Sequence, residues 1–354
     1  MKQIPVFEYT IPSINTLRTQ IVQGHYHIPL AFSRWKLSIA LARTLCSNHL
    51  DHFEYYLDVL QSYFGQYSII DGNTANIRLK SSRLIRLRDF SRKNKIGELG
   101  QAISWIYIME NGYPFINDFR FFCNQANIII PNRISTPDFI AQSTNLTTDL
   151  CIFESKGKEL ATYASIKSKL KDGLRQCNNG AKLINNNNGY HVTKQISFCA
   201  EFSTDKNSFD SSLNFCDPSS ENNYQKIDDL PVRIHYASWF YIIGDFQNVE
   251  NLITNKPIRL NETDYQIREV NGINYWTISF FSKGYYILNI LRRNPLFFKS
   301  FQRYVDIKIG ISDNVVKFLS KNESSLPYNI KPESNENFEI FADGTLIIDF
   351  PEEK

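Results

Sequence analysis

Two stretches decide how this chain folds: Pro137-Asp138-Phe139-Ile140-Ala141-Gln142 and Leu150-Cys151-Ile152-Phe153-Glu154-Ser155-Lys156. Each is a short apolar run with charge at one end, the pattern of a buried strand. Side chains alternate along a strand, so Glu154 and Lys156 project from one face, roughly 6.5 Å apart along the backbone. If the two strands are neighbours, Asp138 and Glu154 converge on one point with Lys156 beside them. Two carboxylates so placed are a natural seat for one divalent cation.

The elements around these strands alternate in type. Residues 14–64 carry apolar positions at mixed helical spacing (Leu37, Leu41, Leu45, Leu57, Leu60), and Asp71-Gly72-Asn73 ends that region. Ile96, Leu99, Ile103, Ile106 and Met109 recur every three or four residues, which predicts an amphipathic helix stopped by Asn111-Gly112-Tyr113-Pro114. Strands are expected at 119–123, at 128–130 with 137–142, and at 150–155. A helix follows at 163–184 and a further strand at 195–202. The Ser-, Asn- and Asp-rich segment 203–228 reads as a long mobile loop, and 233–246 as an apolar helix or strand-helix pair. The C-terminal part shows strand signals at 275–281, 285–290, 305–311 and 345–350, with Ala342-Asp343-Gly344-Thr345 as a hairpin turn. The expected organisation is a helical, partly basic region over 1–94, an α/β core over 95–248 and a β-rich region over 249–354.

Composition bounds the class. A chain of 354 residues has room for two or three compact units, and 42% hydrophobic content supplies their cores. The net charge of +3 makes no case by itself for a polyanionic partner. The six cysteines show no C-x-x-C spacing, which favours a reducing, cytoplasmic setting over a disulfide framework. The N-terminal MKQIPVFEYTIP has no apolar h-region, and no run approaches the roughly 20 residues needed to span a bilayer, so neither secretion nor a membrane is expected. The matches to the N-glycosylation pattern at Asn145 and Asn322 carry little weight in that setting. Walker A, G-x-S-x-G and G-x-G-x-x-G patterns are absent from the sequence, which leaves nucleotide hydrolysis and dinucleotide redox chemistry without support.

Hydrolysis of a phosphodiester needs an activated water and stabilised charge on the phosphate and the leaving oxygen. Hard cations held by carboxylate and carbonyl oxygens supply both. Asp138 and Glu154 are the candidate ligands, the Ser155 carbonyl is a further one, and Lys156 can orient water or offset phosphate charge. Glu98, in Gly97-Glu98-Leu99-Gly100, sits on the helix before these strands, where flanking glycines allow close approach to a strand. Gln176 sits on the helix after them.

These residues in this order resemble the PD-(D/E)XK nuclease superfamily, over roughly residues 95–245. Pro137-Asp138 followed, after fifteen intervening residues, by Glu154-Ser155-Lys156 matches its signature, Glu98 its helix-borne acid and Gln176 the glutamine of some members. The resemblance implies a restriction-endonuclease-like core, a central mixed sheet flanked by helices. It also implies Mg²⁺ or Mn²⁺ as cofactor and endonucleolytic cleavage of DNA, in prokaryotic defence if the chain is a restriction-type member. Double-stranded DNA, a defence-system partner protein and a second copy of the chain are the partners it suggests. A catalytically silent module of the same fold that binds nucleic acid or scaffolds a complex is the alternative, and a β-rich interaction protein with an accidental motif is a third.

Eight basic residues against one acid lie between Arg78 and Lys95. Arg83, Arg86, Arg88, Arg92 and Lys93 are candidates for the phosphate backbone. Lys169 and Arg175 continue that character on the 163–184 helix. The competing reading is a solvated amphipathic helix with Leu79, Leu84, Leu87 and Phe90 inward. Arg292, Arg293, Lys299 and Arg303, interleaved with Phe297, Phe298 and Phe301, read more readily as surface arginines over core aromatics than as a stacking patch. His25 and His27, and His49 with His52, lack the glutamate or cysteine partners of a zinc site, and His235 reads as a packed core or substrate-side residue rather than a base.

Overall fold

A computed structural model describes residues 1–10, 22–46, 69–144, 146, 149–159, 162–187, 189–218, 228–279, 307–321, 330–335 and 337–348. His49, His52, Asn145, Asn322, the expected 285–290 strand and the basic-aromatic run from Arg292 to Arg303 lie outside them. The chain forms two compact units, Met1–Pro231 and Val232–Lys354. It is mixed α/β, with a large mixed sheet flanked by helices in the first unit.

In that sheet seven described strands run in the order β2-β1-β7-β6-β5-β4-β3. They are β1 (Lys2–Thr10), β2 (Val22–Phe32), β3 (Phe115–Asp118), β4 (Phe139–Gln142), β5 (Asp149–Glu159), β6 (His191–Phe202) and β7 (Ser212–Cys216). β4 and β5 are antiparallel neighbours from Phe139↔Phe153 to Gln142↔Leu150, as the opening stretches require. β5 and β6 are parallel, joined by the crossover helix α5 (Tyr163–Asn185), and β7 runs antiparallel to β6. Buried on both faces, β5 is apolar along its first half without alternation, the mark of an interior strand.

The remaining helices of this unit are α1 (Arg34–Cys46), α2 (Ser81–Leu84), α3 (Asp89–Glu110) and α4 (Phe119–Gln125). α3 buries nearly every side except its first turns, because it lies between the sheet and α1. Glycines set its distance from β5. A Cβ on Gly157 would stand 2.0 Å from the Ile96 carbonyl oxygen, and one on Gly100 would stand 3.0 Å from the Gly157 Cα. α5 covers the opposite face, with Ile166, Leu170, Leu174, Cys177, Ala181 and Ile184 inward and Thr162 accepting a hydrogen bond from the Ser165 N–H as N-cap. Its Leu170 and Leu174 join Tyr9, Ile166, Cys199 and Cys216 in one core cluster.

Several expectations are corrected. Residues 119–123 are helical, because Asp118 Oδ1 accepts the Phe121 N–H at 2.8 Å and starts α4. Residues 128–130 are in no strand. Within the expected helical stretch 14–64, residues 22–32 form strand β2, while 34–46 are helical as expected. The 203–228 segment holds β7, five buried residues between β1 and β6. Strands from 1–94 and from 95–231 thus share one sheet, and residues 232–248 belong to the second unit.

The second unit carries α6 (Leu230–Ile242, starting just before the boundary), α7 (Phe246–Ile253) and α8 (Asp313–Leu319). Its antiparallel sheet runs β11-β12-β13-β10-β9-β8. The strands are β8 (Gln266–Val270), β9 (Ile273–Ser279), β10 (Lys308–Ser312), β11 (Glu333–Ser334), β12 (Phe338–Ile340) and β13 (Thr345–Ile348). The expected hairpin turn joins β12 to β13, with Gly344 at φ +80, where a side chain would be strained. No described helix is long and apolar enough to cross a membrane.

Candidate active site

β5 outruns β4. The ladder between β4 and β5 ends at the Phe139↔Phe153 pair, and Asp138, the residue before it, lies beside Ser155 of β5. Two main-chain bonds fix it there. Its carbonyl accepts the Phe119 N–H at 3.0 Å, and its carboxylate Oδ2 accepts the Ser155 N–H at 3.1 Å. Pro137 just before it packs against Gly180 of α5, where a Cβ would meet the proline ring at 2.7 Å. The Pro-Asp pair is therefore a wedge between the helix and the strand, and a turn propensity alone does not describe it.

Glu154, one residue earlier on β5, points to the α5 face and is 1% exposed. Gly173 lies over it, 3.4 Å from a Cβ position to Glu154 Cγ and 2.0 Å to Ser197 Oγ. Lys156 Nζ makes an ion pair with Glu154 Oε1, as the shared strand face requires. The other oxygen, Oε2, is buried with no hydrogen-bond partner, and so is Ser197 Oγ. A buried oxygen left in that condition costs about 1–3 kcal/mol.

The electrostatics follow from this burial. Desolvation, helped by the neighbouring Asp138, pushes the Glu154 carboxyl up to about 8. Desolvation also raises Asp138, against the pull of Lys156 and of hydrogen bonds from the Ser155 amide and Gln101. For Lys156 burial acts to lower the pKa, but Glu154 and Asp138 outweigh it and hold the ammonium above its usual value. The site therefore holds one fixed cation between two carboxyl groups that resist ionising together.

The structure thus gathers Asp138, Glu154, Ser155 and Lys156. Glu98 is half-buried on α3, and no group of three His, Cys, Asp or Glu side chains stands at metal-holding distance among the described residues. The α3 side chain that reaches Asp138 is Gln101, one turn further on. Sequence reasoning missed it because an amide carries no charge to flag it, although it follows Glu98 by three residues, on the same side of a helix. Ser197 was missed as well, since it lies inside an apolar strand with no motif around it. Gln176 is half-buried between Gly173 and Gly180, on the α5 stripe that lies over Glu154 and Pro137.

Of the basic candidates, Arg86, Arg88 and Lys93 are exposed and Arg83 and Lys169 half-buried. Phe90, read as inward in the amphipathic alternative, is 76% exposed. Arg92 is engaged with Glu159 through both prongs of its guanidinium, Nε to Oε2 at 2.7 Å, and ties α3 to the end of β5. Arg175 pairs loosely with Asp172 at 3.4 Å. His27 Nε2 bonds Glu8 at 2.8 Å across β1 and β2, and His235 is fully buried. The five cysteines whose side chains are described are free and buried.

No protein-family model, curated protein or solved structure matches this chain.

Proposed function

We propose that this chain is a divalent-cation-dependent nuclease of restriction-endonuclease-like fold that cleaves DNA. The observation that carries the reading is that Asp138 bonds β5 at Ser155 between Glu154 and Lys156, which pair with each other, while Glu154 Oε2 is buried without a hydrogen-bond partner.

The donor set fits a hard cation. Asp138, Glu154 and the Ser155 carbonyl, which shares the strand edge of the Ser155 N–H, are all oxygen donors. They would hold Mg²⁺ or Mn²⁺, whose chemistry when bound is to polarise the phosphate and acidify a water. A cation beside them also answers the raised carboxyl pKa values, since it favours both ionised forms. Lys156 stays protonated at neutral pH and is partly exposed, so it serves as a fixed charge and donor toward a phosphate oxygen or the attacking water. Gln101 and the Ser155 amide hold the Asp138 carboxylate in place. Arg86, Arg88 and Lys93 supply charge for the DNA backbone, with defence against foreign DNA as the setting.

Incubation with supercoiled plasmid and Mg²⁺ tests this directly. Wild type is expected to nick or linearise the plasmid, and Asp138→Ala and Lys156→Ala to leave it intact. Equal activity in all three proteins would sink the reading. The rival is a silent module of the same fold, which would bind DNA in a gel-shift assay and cut none.

A further inference from the structure

Glu154 has neighbours on two sides of the α5 face of the sheet. β6 runs parallel beside it with Ser197 directly opposite in register, and Gly173 of α5 lies above. Side chains at matched positions of neighbouring strands project from one face. The Cβ position over Gly173 fixes where these two go, because it stands 2.0 Å from Ser197 Oγ and 3.4 Å from Glu154 Cγ. The serine hydroxyl and the glutamate stem therefore border one small space, which a side chain at 173 would fill.

Both residues carry an oxygen that the fold leaves over. Ser197 is 0% exposed and Glu154 1%, yet Ser197 Oγ and Glu154 Oε2 each lack a hydrogen-bond partner. Buried side-chain polar atoms are in the large majority bonded, so two exceptions side by side call for a cause. Their chemistry is complementary: a hydroxyl donates, and a carboxylate oxygen accepts on two lone pairs. The Lys156 ammonium, partly exposed, takes Oε1, and the Asp138 main-chain amide stands near the carboxyl. Oε2 is the oxygen left to the interior, where Ser197 is the donor opposite. Neither atom is committed elsewhere, so no bond has to break for the two to meet.

We infer that Ser197 is a positioning residue for Glu154, its hydroxyl donating to Oε2 in the cation-loaded site and so aiming the carboxylate at the ion. Gly173 keeps the place of that hydroxyl open. The assignment rests on the nuclease reading for the cation, but its test does not need cleavage. Hydrogen-bond partners of ligating groups typically set metal affinity by about ten- to a hundredfold.

Calorimetric titration of Mn²⁺, paired with melting of the metal-free protein, separates this role from packing. Ser197→Ala should weaken Mn²⁺ binding about tenfold. The same variant without metal should melt at or above the wild-type temperature, because a buried hydroxyl with no partner has been removed. Gly173→Ala, whose methyl takes the hydroxyl's place, should weaken binding as well. Unchanged affinity in Ser197→Ala, or full affinity in a folded Gly173→Ala, overturns the assignment. A loss of affinity in Ser197→Ala matched by a lower metal-free melting temperature would indicate packing and overturns it too. Binding that Asp138→Asn abolishes and Ser197→Ala leaves intact would keep the nuclease reading and sink this role; no Mn²⁺ binding by wild type would sink both.

Discussion

Glu154 in the first unit and Asp343 in the second are both carboxylates hidden from water, and they are built in opposite ways. Asp343 Oδ2 takes His235 Nε2 at 2.7 Å and Trp239 Nε1 at 2.8 Å. Its Oδ1 takes the Thr345 N–H at 2.9 Å and hydroxyl at 2.5 Å, and its main-chain carbonyl accepts from the Tyr236 hydroxyl. Each carboxylate oxygen thus accepts two hydrogen bonds, and the group locks the hairpin turn before β13 onto α6. Around Glu154 stand the Lys156 ammonium, bonded to Oε1, and the Asp138 main-chain amide, and Oε2 has no hydrogen-bond partner of good geometry. Burial alone therefore marks neither function nor structure. What separates the two is whether the acid's surroundings already complete it.

That difference can be broken experimentally. The largest effect expected is on cleavage. Asp138→Asn should lower the Mg²⁺-dependent rate by about 10³-fold or more, measured on plasmid, with the unfolding midpoint held close to wild type. A residual rate near wild type would mean that the edge carboxylate is ornamental.

Stability should respond in the reverse order. Asp343→Ala strands the His235 and Trp239 donors in a fully buried place and should cost the second unit about 3–5 kcal/mol in urea unfolding. Glu154→Gln should cost the first unit under about 1 kcal/mol, or stabilise it, because the fold already resists the glutamate's charge. Similar losses in both variants would erase the contrast drawn here.

The glycine contacts come next. A methyl group on Gly157 meets the Ile96 carbonyl, so Gly157→Ala should destabilise by about 2–3 kcal/mol. Gly97, one residue past Ile96 on α3, has open space around its Cβ position, and Gly97→Ala should be neutral or stabilise by about 0.5–1 kcal/mol. Thermal melts of both variants check whether close approach of α3 to β5 is real at one position and absent at its neighbour.

A smaller effect concerns pH. The folded-state pKa of Glu154, about 8, lies above its ordinary value of 4.5. The fold therefore prefers the protonated acid. Its contribution to stability is complete below pH 4.5 and is lost as pH rises through 8. Without divalent cation, the melting temperature should fall by a few degrees between pH 6 and pH 9, and Glu154→Gln should flatten that slope. An unchanged slope in the variant would assign the pH dependence to other groups.

Much of the site was legible because its strands are buried on both faces and carry their charges at one end. Asp138, Glu154 and Lys156 needed only strand periodicity and a neighbouring pair to come together, and α5 announced itself by spacing. What was hidden is equally physical. The run Phe119 to Cys123 is aromatic enough for a strand, yet Asp118 caps it into a helix. β7 lies in a polar segment whose Asn214 is satisfied inside by the Cys199 carbonyl at 3.1 Å, so polarity misled. Gln101 bonds the Asp138 carboxylate, and as a neutral amide on α3 it carries no charge that would mark it in the sequence.

The most direct test is a calorimetric titration of Mn²⁺ into the metal-free protein near pH 7.5, repeated in buffers of different ionisation enthalpy. With Glu154 titrating at about 8, ion binding should release protons. A cation held by both carboxylates requires one site, with proton release, abolished by Asp138→Asn and by Glu154→Gln. Binding that survives both substitutions, or no binding in the wild-type protein, would contradict it.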